Sequence, residues 1–451
     1  MNPKRAQARP PDRPAGDGRT CSAQEAAQTL GISLATLYAY VSRGLVRSEA
    51  GAGSSRARRY HREDINRLRE GRAQRRDPAR AAARALDMGA PVLESALTLI
   101  AEGRVHYRGR DAMALAGTHT LERIAGLLWL DDASEERAAN LFAAAGAAPS
   151  MPKSAFNADG YGFAERFQIA LALAAARDPQ SWDLRPAAVA QTGARILTLL
   201  VEVAAGGQQT GVGTIGERLA RAWAPKLRGS AQRNVATILN SALVICADHE
   251  LNVSAFTARC VASASATPWH VVIAGLAALQ GEKHGGYTER ADALLGDIGK
   301  QADTRNIRGA LLRHLKEGKA LPGFGHPLYP QGDPRATLLL ELAASAGKSV
   351  GSSVGKSAGK GASAKALELS QQVQRTAASL AVDPPNLDFG LATLRQALDL
   401  PPGAGLAIFA LGRTVGWIAH AIEQYKLDRL IRPRARYTGM QPIPDEPPNP
   451  A

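Results

Sequence analysis

Leu321-Pro-Gly-Phe-Gly-His-Pro-Leu-Tyr-Pro-Gln-Gly-Asp-Pro-Arg335 is the stretch on which the reading of this chain turns. Four prolines and three glycines in fifteen residues exclude a regular helix, because proline lacks the amide donor and clashes with the preceding turn. A loop is predicted. Within it, Gly323 and Gly325 allow close backbone approach to a ligand, His326 can polarise or protonate, and Arg335 offers a planar fork suited to a carboxylate.

Outward from that loop, the bounds are set by length and charge. At 451 residues the chain exceeds one ordinary domain and can bury a sizeable core, so two or three domains are expected. Cys21, Cys246 and Cys260 form no C-x-x-C pair and are odd in number, which points away from a disulfide framework or a zinc site; no metal is expected. The N-terminus has no apolar signal region, and no uninterrupted apolar run approaches the roughly 18 residues of a membrane helix. A cytoplasmic protein without membrane contact is expected. The net charge of +14 is concentrated at one end: residues 1–86 hold 18 Lys and Arg against 8 Asp and Glu, leaving only +4 for the remaining 365.

That basic end has its own pattern. Residues 1–20 hold little to bury and read as a disordered tail. Ser22-Ala-Gln-Glu25 is a capping box ahead of apolar Ala26, Ala27 and Leu30, with Gly31 as the stop. Ser33 caps a second helix, Leu34 to Arg43. Two short helices joined by a Gly-containing turn form a helix-turn-helix pattern. Arg56, Arg58, Arg59 and Tyr60 follow a Gly/Ser loop in the manner of a basic wing, and a further helix starts at Glu63. Residues 21–70 resemble the MerR-like and excisionase-like winged DNA-binding domains. The resemblance implies that Ser33, Ala35, Thr36 and Tyr40 lie near the exposed face of a recognition helix and that Arg56, Arg58 and Arg59 contact phosphates of double-stranded DNA. Residues 71–91 read as a linker.

From Val92 onward helix follows helix, with little strand patterning, so the chain is read as mainly α. Leu121–Trp129 and Arg195–Val203 carry apolar residues at helical spacing and are assigned to the core. Gly211-Val-Gly213-Thr-Ile-Gly216 follows a helical pattern and lacks the acidic residue a dinucleotide fingerprint needs. Gly351-Ser-Ser-Val-Gly355-Lys356-Ser357 is one residue too short for a Walker loop. It lies in a Gly/Ser/Ala/Lys stretch, 345–365, expected to be a flexible insertion.

The loop at 321–335 resembles the G-[FY]-G-H-x-x-Y-x-x-x-D-P-R element of the citrate synthase family. Further stretches resemble that family in the right order: Tyr107-Arg108-Gly109-Arg110-Asp111, Asp248-His249-Glu-Leu-Asn252-Val-Ser254, Gly281-Glu-Lys-His284-Gly-Gly-Tyr287-Thr288, Asn386-Leu-Asp388-Phe389, Gly412-Arg413 to His420, and Ile431-Arg432-Pro433. Together they cover about residues 92 to 445. The resemblance implies a large helical domain over 92–285 and 396–445 and a small one over 286–395. It implies a Claisen condensation of acetyl-CoA with oxaloacetate giving citrate and CoA. Asp388 would be the base, His284 the donor to the thioester oxygen and His326 the group that polarises the ketone. His249, Arg335, Arg413 and Arg432 would bind oxaloacetate, Arg432 in the partner subunit of a homodimer. Gly323, Phe324 and Gly325 would touch CoA, a co-substrate, so no cofactor is expected. Asp248 is read as a helix cap, and Trp417 and His420 as packing.

The sequence departs from the family at Tyr287-Thr288, where the family has Ala-Asn, and at Pro327, often Arg in bacterial members. Two other readings stay open: methylcitrate synthesis from propionyl-CoA, and a transcription regulator that senses ligands through a citrate synthase-like body.

Overall fold

The structure, a computed structural model, describes residues 20–50, 58–66, 68–69, 93–147, 149, 160–207, 212–300, 304–318, 320–353 and 359–440. It divides into two units, Met1–Glu94 and Ser95–Ala451. Arg56, the linker and all of the expected tail but Thr20 lie outside the described residues.

In the first unit the local signals act as read. Ser22 and Glu25 close a reciprocal capping box on the helix Ala23–Leu30, and Gly31, at φ +61°, ends it in the left-handed conformation that glycine adopts without strain. Ser33 caps the helix Leu34–Ser42. Strands β1 (Thr20–Cys21), β2 (Ser48–Ala50) and β3 (Arg58–His61) form an antiparallel sheet in the order β1-β3-β2. Thr20, assigned to the tail from sequence, is thus the first strand residue. Ala26, Leu30, Leu37, Val46, Tyr60 and Ile65 make the small core.

The second unit is an array of helices with one small meander, β4 (Thr98–Ala101), β5 (Arg104–Tyr107) and β6 (Arg110–Asp111), that strand patterning did not reveal. Its axis is the helix Ala404–Leu427, nearly every residue of which is buried. By length and apolarity this helix and Pro186–Ala204 could cross a membrane; here the apolar stretch of Ala404–Leu427 is wholly buried in the protein core. Gly412 and Gly416 make its close packing possible, because a Cβ on either would lie 2.4 Å from a carbonyl oxygen, of Leu243 and Ala247 respectively. A second, smaller cluster gathers Leu295, Ile307, Leu311, Leu321, Phe324, Val373 and Phe389.

Helix Leu387–Ala397 belongs to both clusters. Phe389 and Ala392 pack in the smaller one, whereas Leu387, Leu391 and Leu394 pack in the larger. Its N-terminus therefore sits where the two cores meet. The expected flexible insertion is corrected over its described part: residues 345–353 end the helix Pro334–Ser353 and residues 359–365 begin the helix Gly359–Ser379. Alanine, serine and lysine are adequate helix formers, and the flanking helices extend through the glycines at about 1 kcal/mol each.

Candidate active site

The loop 321–335 is seated on the segment that precedes Asp388. Gly325 N–H donates to Pro384 O (2.8 Å), Asn386 N–H donates to Gly323 O (2.9 Å), and the Asn386 amide donates to Gly325 O (2.9 Å). Gly323 has φ +85°, and a Cβ there would fall 2.8 Å from the Cβ of Phe389; Gly325 has φ +77°. Both glycines are required by the chain's own close approach. These backbone groups of Gly323 and Gly325 bond within the loop's seat, and Phe324 is buried against Phe389, ring centroids 4.9 Å apart. Asn386 also caps helix Leu387–Ala397, its side chain accepting from Asp388 N–H.

Asp333 and Arg335 form a buried bidentate pair, Nε to Oδ1 at 2.9 Å and Nη2 to Oδ2 at 2.7 Å, and Asp333 also accepts from Leu387 N–H. One carboxylate thus fixes the guanidinium and the start of the Asp388 helix together. Arg413, 1% exposed, donates Nε to Cys246 O (2.8 Å), while its Nη2 is buried with no hydrogen-bond partner among the described residues. A buried cation with an idle donor is costly unless an anion completes it.

Three imidazoles meet these groups. His249 Nε2 and Tyr329 OH are 2.7 Å apart, and the rings of His249 and His326 stack edge-on with centroids 5.2 Å apart. Leu328 N–H donates to His326 Nδ1, which places the proton of the neutral ring on Nε2. His284 Nε2 lies 2.9 Å from Ser254 Oγ, and its ring meets Phe409 edge-on. Burial pushes all three down, helped by nearby guanidinium charge: His284 to about 3 and His326 to about 4, with His249 well below its ordinary value. Each is neutral at pH 7. Asp388 moves the other way. Burial lifts its carboxyl to about 6 against the opposing effects of Thr288, Arg335 and Arg413.

Sequence reasoning missed several partners that stand inside the quoted motifs. Ser254 holds His284, Tyr329 holds His249, and the Tyr107 hydroxyl donates toward the carbonyls of Val244, Ile245 and Asp248 that shape the turn before His249. Their motif positions were visible; their bonds were not. Asp248 caps no helix. Its carboxylate accepts from Thr98 Oγ1 (2.6 Å) and lies 3.2 Å from His420 Nε2, so His420 faces this carboxylate as well as packing in the core. Arg432 is not brought to the cluster: it is exposed in the segment beyond Leu427. A cavity of about 610 Å³, walled by Tyr287, Arg290, Arg313 and Pro322 among others, adjoins both histidine loops but includes none of the candidate side chains.

In the N-terminal unit, Ser33 Oγ accepts from Thr36 N–H and bonds the Thr36 hydroxyl. Arg59 is tied to Thr20, and Arg58 donates to Ser48 Oγ at 3.2 Å. Tyr40 is corrected: it packs against the core, and Tyr38, 52% exposed, takes the outward position on that helix. About half a helical turn separates the two.

Residues 85–434 match the family profile "Citrate synthase, C-terminal domain", and residues 20–73 match "Helix-turn-helix domain". Among curated proteins, the chain is 37% identical to citrate synthase 2 of Bacillus subtilis over 201 residues, 44% of this chain and 50% of that protein. It is 33% identical to a citrate synthase of Haloferax volcanii over 207 residues, 46% and 51% of the two chains, and 31% identical to a 2-methylcitrate synthase of Shewanella oneidensis over 221 residues, 48% and 54%. The chain spans about half the length of these relatives. Among solved structures it is similar to a citrate synthase from Thermoplasma acidophilum in a ternary complex with carboxymethyl coenzyme A and oxaloacetate, with TM-score 0.66 and 23% identity over 80% of this chain and 97% of that one. A citrate synthase from Thermotoga maritima gives TM-score 0.61 at 23% identity, with 80% and 96% covered. These two likenesses concern the fold.

Proposed function

The chain belongs to the citrate synthase family, and on that premise we propose that it condenses acetyl-CoA with oxaloacetate, giving citrate and CoA. The observation that carries this reading is the convergence of one carboxylate and three neutral imidazoles with two buried guanidinium groups. A thioester methyl is a very weak acid, so its deprotonation needs a base and an enolate stabiliser at once. Asp388, raised to about 6, is mostly ionised at pH 7 and more basic than an ordinary carboxylate. It takes the methyl proton. The Ser254 hydroxyl donates to Asn252 Oδ1, and its oxygen lies beside His284 Nε2, which fixes the ring. His284 donates a hydrogen bond to the thioester oxygen as charge develops there.

The enolate carbon attacks the ketone of oxaloacetate while His326 Nε2–H polarises the ketone oxygen and supplies its proton. Arg413, with an idle buried donor, and Arg335 bind the two carboxylates, and His249 hydrogen-bonds the same substrate. Hydrolysis of the citryl thioester then releases CoA and makes the sequence favourable. Arg432 acts in the site of a second subunit, a role that suits its exposure in a single chain. A homodimer follows. The test is Asp388→Ala: turnover lost with oxaloacetate binding retained, measured by calorimetry, supports the assignment, and retained turnover refutes it.

A 2-methylcitrate synthase among the relatives keeps propionyl-CoA as a second acyl donor, since one methylene in a pocket is worth only about 1 to 3 kcal/mol. The winged helix-turn-helix unit adds double-stranded DNA binding, through the outward face of helix Leu34–Ser42 and the basic strand at Arg58. Binding of the intact protein to genomic duplex fragments with a steep salt dependence tests that part; no binding at low salt excludes it.

A further inference from the structure

Thr288 stands where the sequence departs from its family, in the first turn of the helix Gly286–Gly299 that follows His284. It is 1% exposed, and its hydroxyl donates to Asp388 Oδ1. Its methyl is packed against Gly405, where a Cβ would fall 2.9 Å from Thr288 Cγ2. The side chain is therefore clamped by the helix Ala404–Leu427 on one side and bonded to the carboxylate on the other.

We propose that Thr288 is a positioning residue for the condensation: it holds the Asp388 carboxylate in its ionised form and couples that carboxylate to the His284 loop. The inference rests on the reading of Asp388 as the base. A hydroxyl can donate to either form of a carboxyl group, and the ionised acceptor makes the stronger bond, which favours that form. The other charged or titratable groups facing Asp388 come from each element packed around it. Asp333 and Arg335 face it from the loop and from helix Pro334–Ser353, and Arg413 from helix Ala404–Leu427. Cys246 lies at the end of helix Gly229–Ile245. On helix Gly286–Gly299, Asp292 is bonded to Arg395 and Gln396, far along helix Leu387–Ala397 from Asp388, and helix Gly359–Ser379 meets that helix through the neutral Ser370–Thr393 pair. Arg335 is already spent on Asp333, and Arg413 Nε on Cys246 O. Thr288 is thus the only side chain among the described residues seen to donate a hydrogen bond to this carboxylate. Burial alone drives the group toward the protonated form, which cannot abstract a proton.

The experiment is the pH profile of kcat/KM for CoA release from acetyl-CoA and oxaloacetate by the full chain, for the parent, Thr288→Val and Thr288→Ser. Valine keeps both branches and the contact with Gly405 but donates nothing; serine keeps the donor. The acidic limb is expected near pH 6 in the parent and higher by about one pH unit in Thr288→Val, with Thr288→Ser close to the parent. In parallel, the Asp388 carboxyl is titrated by carbon-13 NMR, assigned by its loss in Asp388→Asn. A limb and a carboxyl titration both unmoved in Thr288→Val overturn the proposal. A carboxyl titration that moves upward while the limb stays leaves Thr288 in control of Asp388 but removes Asp388 from the role of base. A uniform loss of rate at all pH values with an unchanged carboxyl reduces Thr288 to a packing residue and also overturns it.

Discussion

The cluster around Asp388 and the N-terminal helix-turn-helix unit deploy polar residues in opposite ways. In the first, Arg335 and Arg413 are 3% and 1% exposed, and burial displaces Asp388, His284 and His326 from their ordinary titration ranges. In the second, the core is made of eight buried apolar residues, while Ser33, Ala35 and Arg58 face solvent and their hydrogen bonds serve capping and strand pairing. The contrast separates two uses of charge. Chemistry needs a group held away from water at an altered proton affinity; recognition of a charged polymer needs cations left in water where the polymer can reach them.

The comparison breaks most readily at Asp333. Its removal leaves the Arg335 guanidinium buried without its partner, so Asp333→Ala is expected to cost about 3 to 5 kcal/mol of stability in the second unit, read by thermal or denaturant unfolding. A change below about 1 kcal/mol would mean that the pair is no more than a solvated bridge. Next in size, His284→Ala should lower turnover by about 10²- to 10³-fold, the usual worth of one preorganised donor at a developing oxyanion, without lowering oxaloacetate affinity. An equal change in Ser33→Ala would erase the functional distinction between the regions.

Asp388 offers a pH test with a definite sign. Its folded-state value, about 6, lies above the ordinary 3.8, so the folded protein keeps a proton that the unfolded chain has released between those values. Its contribution to stability is complete below about 3.8 and is lost as pH rises through about 6. Asp388→Asn, which cannot ionise, is therefore expected to be more stable than the parent at pH 7.5, by at most about 3 kcal/mol, and close to it at pH 4. Unfolding midpoints at the two pH values measure this. The smallest expected effect is Ser33→Ala, which removes a helix cap and should cost about 1 kcal/mol, seen as faster amide exchange confined to residues 34–42.

Much of this was legible in the sequence, for local reasons. The Ser22–Glu25 box, Gly31 and Ser33 act within four residues of themselves, so pattern alone placed them. The ordered motifs around His249, His284, His326, Asp388 and Arg413 named the side chains that the fold gathers. What pattern could not supply was partnership across the chain: Asp248 with His420, 172 positions on, or Thr288 with Asp388, 100 positions on. Nor could it tell whether a glycine's freedom serves a ligand or the chain itself. Gly323 and Gly325 prove to make room for Phe389 and Asp383. Tyr40 and Tyr38 were confused because two residues on so short a helix differ by half a turn, and the core side is fixed only by what packs there.

The central claim is that the buried cluster performs a condensation, and CoA release tests it most directly. Purified protein given oxaloacetate and acetyl-CoA, with free thiol followed by a colour reagent, should show turnover that disappears when oxaloacetate is withheld, and the same assay with propionyl-CoA ranks the two acyl donors. A folded protein that binds oxaloacetate yet releases CoA from neither thioester would contradict the account and leave the site as a ligand sensor attached to a DNA-binding unit.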